Sequence, residues 1–136
     1  MSESRRPASR GAIALVLWAT VVLLPGIASA HARLVKSDPA RRAKISASPA
    51  AVRLWFNEAI EAEFSRLAVT RADGSVVADS AKVDPEDEKL LFVELPPALP
   101  AGTYTVSFEV LSVDGHRVKQ SFPFTVKSEA KAPPGG

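Results

Sequence analysis

The chain has two histidines, and each stands where an imidazole could hold a metal ion. His31 follows Ala28-Ser29-Ala30, the small-x-small pattern that a signal peptidase accepts. Cleavage after Ala30 leaves His31 as the first residue, whose α-amine and ring Nδ1 can together close a chelate ring on one ion. His116 ends the run Asp114-Gly115-His116, two residues after a carboxylate. An amine, two imidazoles and one carboxylate form an N3O set, which suits a tetragonal site for Cu(II) or, less often, Ni(II). Zinc accepts the same donor types but prefers a tetrahedron, which a terminal chelate does not favour.

Each half of this set also has a plain reading. Asp-Gly is an ordinary turn dipeptide, and signal peptidases tolerate many residues after their cleavage site. If the segment is extended, Asp114 and His116 project to one side. The metal reading then requires the first strand to carry His31 to that same side. The absences are also informative. There is no cysteine, and the single methionine, Met1, leaves with the leader. Soft donors for Cu(I) are therefore missing, so the expected ion is a single Cu(II), released on reduction.

Residues 1–30 read as a secretory signal. Arg5, Arg6 and Arg10 form a basic start, Gly11 to Leu24 an apolar run, and Pro25-Gly26 a break before the cleavage site. Fourteen apolar residues fall short of the ~20 that span a bilayer. The leader carries three of the seventeen basic residues and one of the fifteen acidic ones, so the processed chain balances at fourteen of each. Scattered, balanced charge gives no basic field for nucleic acid. Without disulfides, the 106 residues that remain must rely on one hydrophobic core.

The elements that would position the donors are strands. Val52, Leu54 and Phe56 alternate with polar or outward residues, as do Leu67 and Val69 before the Asp73-Gly74 turn signal. Leu90 to Leu95 forms a further strand closed by Pro96-Pro97. Tyr104, Val106, Phe108 and Val110 share one face of the longest alternating run, and Phe122, Phe124 and Val126 share another. Pro123 marks an edge or a bulge. About seven short strands and no long helix predict a single antiparallel β-sandwich, immunoglobulin-like and of the Greek-key β-barrel type. Glu58 to Ser65 has room for one helical turn, and 128–136 reads as a disordered tail. Tyr104 is expected as a corner tyrosine and Trp55 as a ring packed on a neighbouring strand or loop.

His31-Ala32-Arg33-Leu34, Ser37-Asp38-Pro39-Ala40, Leu54-Trp55-Phe56-Asn57-Glu58, Leu99-Pro100-Ala101-Gly102-Thr103-Tyr104 and Ser112-Val113-Asp114-Gly115-His116 together resemble the CopC family of periplasmic copper-binding proteins, over residues 31–127. The resemblance implies a β-sandwich copper carrier, acting in copper resistance or uptake, that binds Cu(II) through His31, Asp114 and His116. It also implies a membrane copper transporter or another periplasmic carrier as partner. Two departures stand out: Arg33 replaces the second histidine of an H-x-H start, and no methionine-rich Cu(I) site can form. Where the family has F-S-E near copper, this chain has Phe56-Asn57-Glu58. Glu58 is thus an axial or outer carboxylate, or else a solvated acid, the ordinary state of a glutamate.

Two other functions use the same features. A histidine-brace copper oxygenase shares the terminal histidine and second imidazole, but the processed chain is short and lacks a row of surface aromatics for sugar stacking. A carboxylate ligand would also hinder cycling to Cu(I). A metal-free β-sandwich interaction module is compatible with the fold, since sandwiches host many functions.

Overall fold

A computed structural model describes residues 31–128. The expected leader, and all but the first residue of the expected tail, lie outside the described residues. Nine strands follow in order: β1 (Leu34–Asp38), β2 (Lys44–Ile45), β3 (Ala51–Phe56), β4 (Arg66–Arg71), β5 (Val76–Ala78), β6 (Lys82–Asp84), β7 (Asp87–Glu94), β8 (Gly102–Leu111) and β9 (Arg117–Val126). They form one sheet in the order β1-β3-β7-β6 and a second in the order β2-β9-β8-β4-β5. A 3-10 turn at Ala62–Phe64 fills the place where one helical turn was expected.

The sandwich is as predicted, with two refinements. The strands beyond the expected seven come from segments of two or three residues, too short to display a period of two. One pairing is parallel: β2 lies against β9 through Lys44–Thr125 and Ile45–Val126. β7 also begins at Asp87, three residues before its apolar run.

The core sits between the sheets, where the alternation placed it. Val52, Leu54 and Phe56 of β3 face Val106, Phe108 and Val110 of β8, all nearly or fully buried. The rings of Phe56 and Phe108 meet edge-on at 5.5 Å. With no disulfide available, this burial is what holds the domain closed, at about 1.5–3 kcal/mol for each large side chain removed from water. Tyr104 stacks on Phe124 and donates its hydroxyl proton to the Pro100 carbonyl, the corner expected of it. Trp55 is partly buried on the outer face of β3, with the Lys36 ammonium 4.6 Å above its ring.

Pro123 resolves its own contradiction. It pairs with Thr105 of β8 on one side. On the other side β2 covers only Thr125 and Val126 of β9. At residue 123 no strand waits for the missing N–H, and the carbonyl accepts a hydrogen bond from the Arg42 amide at 2.7 Å.

Candidate metal centre

The site lies at the end of the sandwich where β8 turns into β9. The Ser112 amide donates to the His116 carbonyl, and the Gly115 amide to the Ser112 carbonyl, each at 2.9 Å. Gly115 has φ +91°, a conformation that residues with a Cβ adopt only under strain. Asp114-Gly115-His116 is therefore a closed turn and not the extended stretch in which alternation would align the two side chains. The carboxylate and the imidazole still meet, because the turn folds them together: Oδ2 of Asp114 is 3.1 Å from Nδ1 of His116.

Ser112 is fully buried beneath this turn. Its hydroxyl donates to Oδ1 of Asp114. The Ser112 hydroxyl oxygen accepts from the His116 amide at 3.2 Å and lies 3.2 Å from the His116 carbonyl. The Ser112 hydroxyl, and after it His116, hold the Asp114 carboxyl below its ordinary value of 3.8 against an opposing desolvation. Asp114 is thus an ionised acceptor with one oxygen tied inward and the other facing the histidine.

The N-terminal segment reaches the same place through a clamp on Arg33. Its amide donates to the Asn57 side-chain oxygen at 2.5 Å, and its carbonyl accepts from the Asn57 amide at 3.0 Å. Ala32, only 2% exposed, plugs its methyl into the core. Inward burial of Ala32 leaves His31 on the outer side. There its ring meets that of His116 edge-on, with centroids 4.4 Å apart. The structure therefore sets the His31 ring beside the Asp114–His116 pair, with a shallow depression of about 380 Å³ alongside, lined by His31, Arg33, Asn57 and Gln120 among others.

Side chains alone do not complete a cluster. Among the described residues no three His, Asp or Glu side chains are gathered closely enough to hold an ion.

Glu58 is not a fully solvated acid. It is partly buried, and its Oε1 is enclosed without a hydrogen-bond partner among the described residues. It lies between two tethers, Asn57 on Arg33 and the Ala59 carbonyl, which accepts from the Val113 amide at 3.4 Å. The segment carrying Glu58 is thereby stitched to both parts of the chain that supply the candidate donors. Asn57 and Ser112 were not singled out from sequence. Their partners, 24 residues away for Asn57 and inside a turn for Ser112, leave no periodic trace.

Residues 34–127 match the CopC domain family. Protein YobA of Escherichia coli (strain K12) is 38% identical over 115 residues, a span covering 84% of this chain and 92% of that protein. Among solved structures, CopC from Methylosinus trichosporium OB3b superposes with a TM-score of 0.70 at 32% identity, covering 76% of this chain and 100% of the other. PcoC, a methionine-rich copper resistance protein from Escherichia coli, superposes with a TM-score of 0.61 at 34% identity, covering 72% of this chain and 100% of the other.

Proposed function

The chain belongs to the CopC domain family, and from that premise we propose that it is an exported, periplasmic carrier or buffer for Cu(II), acting in copper resistance or transport without catalysis. Removal of residues 1–30 as a signal peptide creates the chelating terminus. One ion is then held by the α-amine and Nδ1 of His31, Oδ2 of Asp114 and Nδ1 of His116. Glu58, with an oxygen lacking any other partner among the described residues, supplies an axial or outer carboxylate.

The observation that carries this reading is the meeting of His31 with the Asp114–His116 pair. The spacing of that pair fits the chemistry. Nitrogen and oxygen donors stand about 2.0–2.2 Å from a first-row ion, so two of them at right angles are about 2.8–3.1 Å apart, and this pair is separated by 3.1 Å. The donor types select the oxidation state: amine, imidazole and carboxylate favour Cu(II), and the processed chain has no thiol or thioether to hold Cu(I). An anionic donor in that plane also disfavours the redox cycling an oxygenase needs. The cargo therefore leaves on reduction, to a membrane copper transporter or a second carrier.

Calorimetry on the processed protein tests the proposal. One tight Cu(II) site is expected, lost on His116→Ala. Binding of equal strength by a protein with one extra residue before His31 would overturn the terminal chelate. Rapid peroxide formation with ascorbate by the copper-loaded protein would overturn carriage without catalysis.

A further inference from the structure

We propose that Ser112 is a positioning residue for copper: its buried hydroxyl occupies Oδ1 of Asp114 and so presents Oδ2 alone to the ion, as a one-oxygen ligand beside Nδ1 of His116. The inference rests on the copper reading above and names how that site is shaped.

A carboxylate at a turn has two ways to fail as a ligand. It can rotate about its Cβ–Cγ bond and offer both oxygens, or it can swing into water, since Asp114 is partly exposed. Ser112 blocks both. It has no solvent exposure, so its hydroxyl must find partners inside the protein, and it donates to Oδ1 of Asp114. The hydroxyl oxygen is itself fixed by the His116 amide, 3.2 Å away. Hydroxyl, carboxylate and imidazole therefore share one frame, in which the backbone of one donor residue orients the side chain that orients the other. Outer partners of this kind typically change metal affinity by about 10- to 100-fold when removed.

Ser112 also supports the turn through its main chain, so a mere loss of affinity in a variant would not separate positioning from structure. A double-mutant cycle separates them. Wild type, Ser112→Ala, Asp114→Ala and the double variant are exported, processed after Ala30 and titrated with Cu(II), and their electron paramagnetic resonance spectra are recorded. Ser112→Ala is expected to weaken Cu(II) binding by about 10- to 100-fold and to alter the spectrum. In the Asp114→Ala background the same change is expected to have no further effect on affinity, because the hydroxyl acts through the carboxylate. Ser112→Thr and Ser112→Val crowd the buried position equally and differ only in the hydroxyl. The Thr variant should keep the wild-type spectrum and the Val variant should lose it, which preserves the test if the Ala variant does not fold. Undiminished binding by Ser112→Ala, additive losses in the cycle, or identical spectra for Thr and Val would overturn the proposal. A processed wild type that does not bind Cu(II) would instead overturn the copper reading on which it stands.

Discussion

The chain contains two Asp-Gly turns, and they are nearly the same object. At 73–75 the Gly74 amide donates to the Arg71 carbonyl and the Arg71 amide to the Ser75 carbonyl, each at 2.9 Å. At 114–116 the Gly115 amide donates to the Ser112 carbonyl and the Ser112 amide to the His116 carbonyl, also at 2.9 Å. Both glycines have positive φ, +86° and +91°. Both aspartates are held below their ordinary value, principally by a serine hydroxyl. In the first turn that serine is Ser75, which follows the glycine and binds Oδ1 through both its hydroxyl and its amide. In the second the serine precedes the aspartate, and the residue after the glycine is a histidine facing Oδ2. The Asp-Gly dipeptide is therefore a structural device at both ends. On the copper reading proposed above, what sets the second turn apart is the residue after the glycine and what the rest of the fold delivers to it.

At the 114–116 turn the fold delivers His31. Extending the processed chain by one residue ahead of His31 should weaken Cu(II) binding by about 10²- to 10⁴-fold, the advantage of joining two binding groups into one, and competitive titration with a Cu(II) chelator measures it. His116→Ala should abolish the tight site. Ser75→His, which writes Asp-Gly-His into the other turn, should add no second tight site to a calorimetric titration, because no terminal amine lies there. A second site of comparable strength would show that Asp-Gly-His suffices, and the terminal chelate would lose its argument.

The two glycines give a smaller effect of the same kind. Among the described residues a Cβ at either position meets no atom within 4 Å, so the cost of alanine is conformational and not steric. Gly74→Ala and Gly115→Ala should each lower stability by about 1–2 kcal/mol, read from denaturant midpoints of the copper-free protein. Only Gly115→Ala should also weaken Cu(II), because it alone moves His116 relative to Asp114. Equal losses of copper affinity from both variants would mean that the turn at 114–116 has no special geometry to protect.

Much of this was legible in the residues. Alternation in β3, β8 and β9 fixed which side chains are inside, and Val52, Leu54, Val106 and Val110 have no exposure at all. The Asp73-Gly74 turn and the Tyr104 corner follow from local chemistry, in which a glycine admits positive φ and a buried hydroxyl seeks a carbonyl. Type and position name the three candidate donors, and the structure sets His31 beside the Asp114–His116 pair. What the sequence hid depends on contacts between distant segments. β2 is two residues long and is held by pairing with β9, not by any pattern of its own. The side on which His31 emerges is set by Ala32 entering the core and by Asn57 gripping Arg33, and one alanine is too short a signal to read. The enclosure of one Glu58 oxygen goes against the usual exposure of carboxylates, so only the assembled fold reveals it. Alternation would align the Asp114 and His116 side chains only in an extended segment, and Gly115 specifies the turn that Asp-Gly ordinarily makes.

The smallest expected effect concerns the turn at 73–75, to which the copper reading assigns no donor. Asp73 has its carboxyl lowered by the Ser75 hydroxyl and then by the Ser75 amide. A group whose folded-state value lies below its unfolded one stabilises the fold above the unfolded value, and that contribution is lost as pH falls through the folded one. The contribution of Asp73 should therefore be complete well above 3.8 and fade below it. Thermal midpoints of the copper-free protein and of Asp73→Asn, followed from about pH 6 to about pH 2, should converge as the solution is acidified. The acid limb should persist in the variant, because Asp114 and Glu109 are lowered as well, the latter by Arg117. Because the Asp73 carboxylate is exposed, the shift in midpoint should be a small one. A gap that stays constant across the range would mean that Asp73 acts through the shape of its side chain and not its charge. The two turns would then differ in their electrostatics and not only in the residue that follows the glycine.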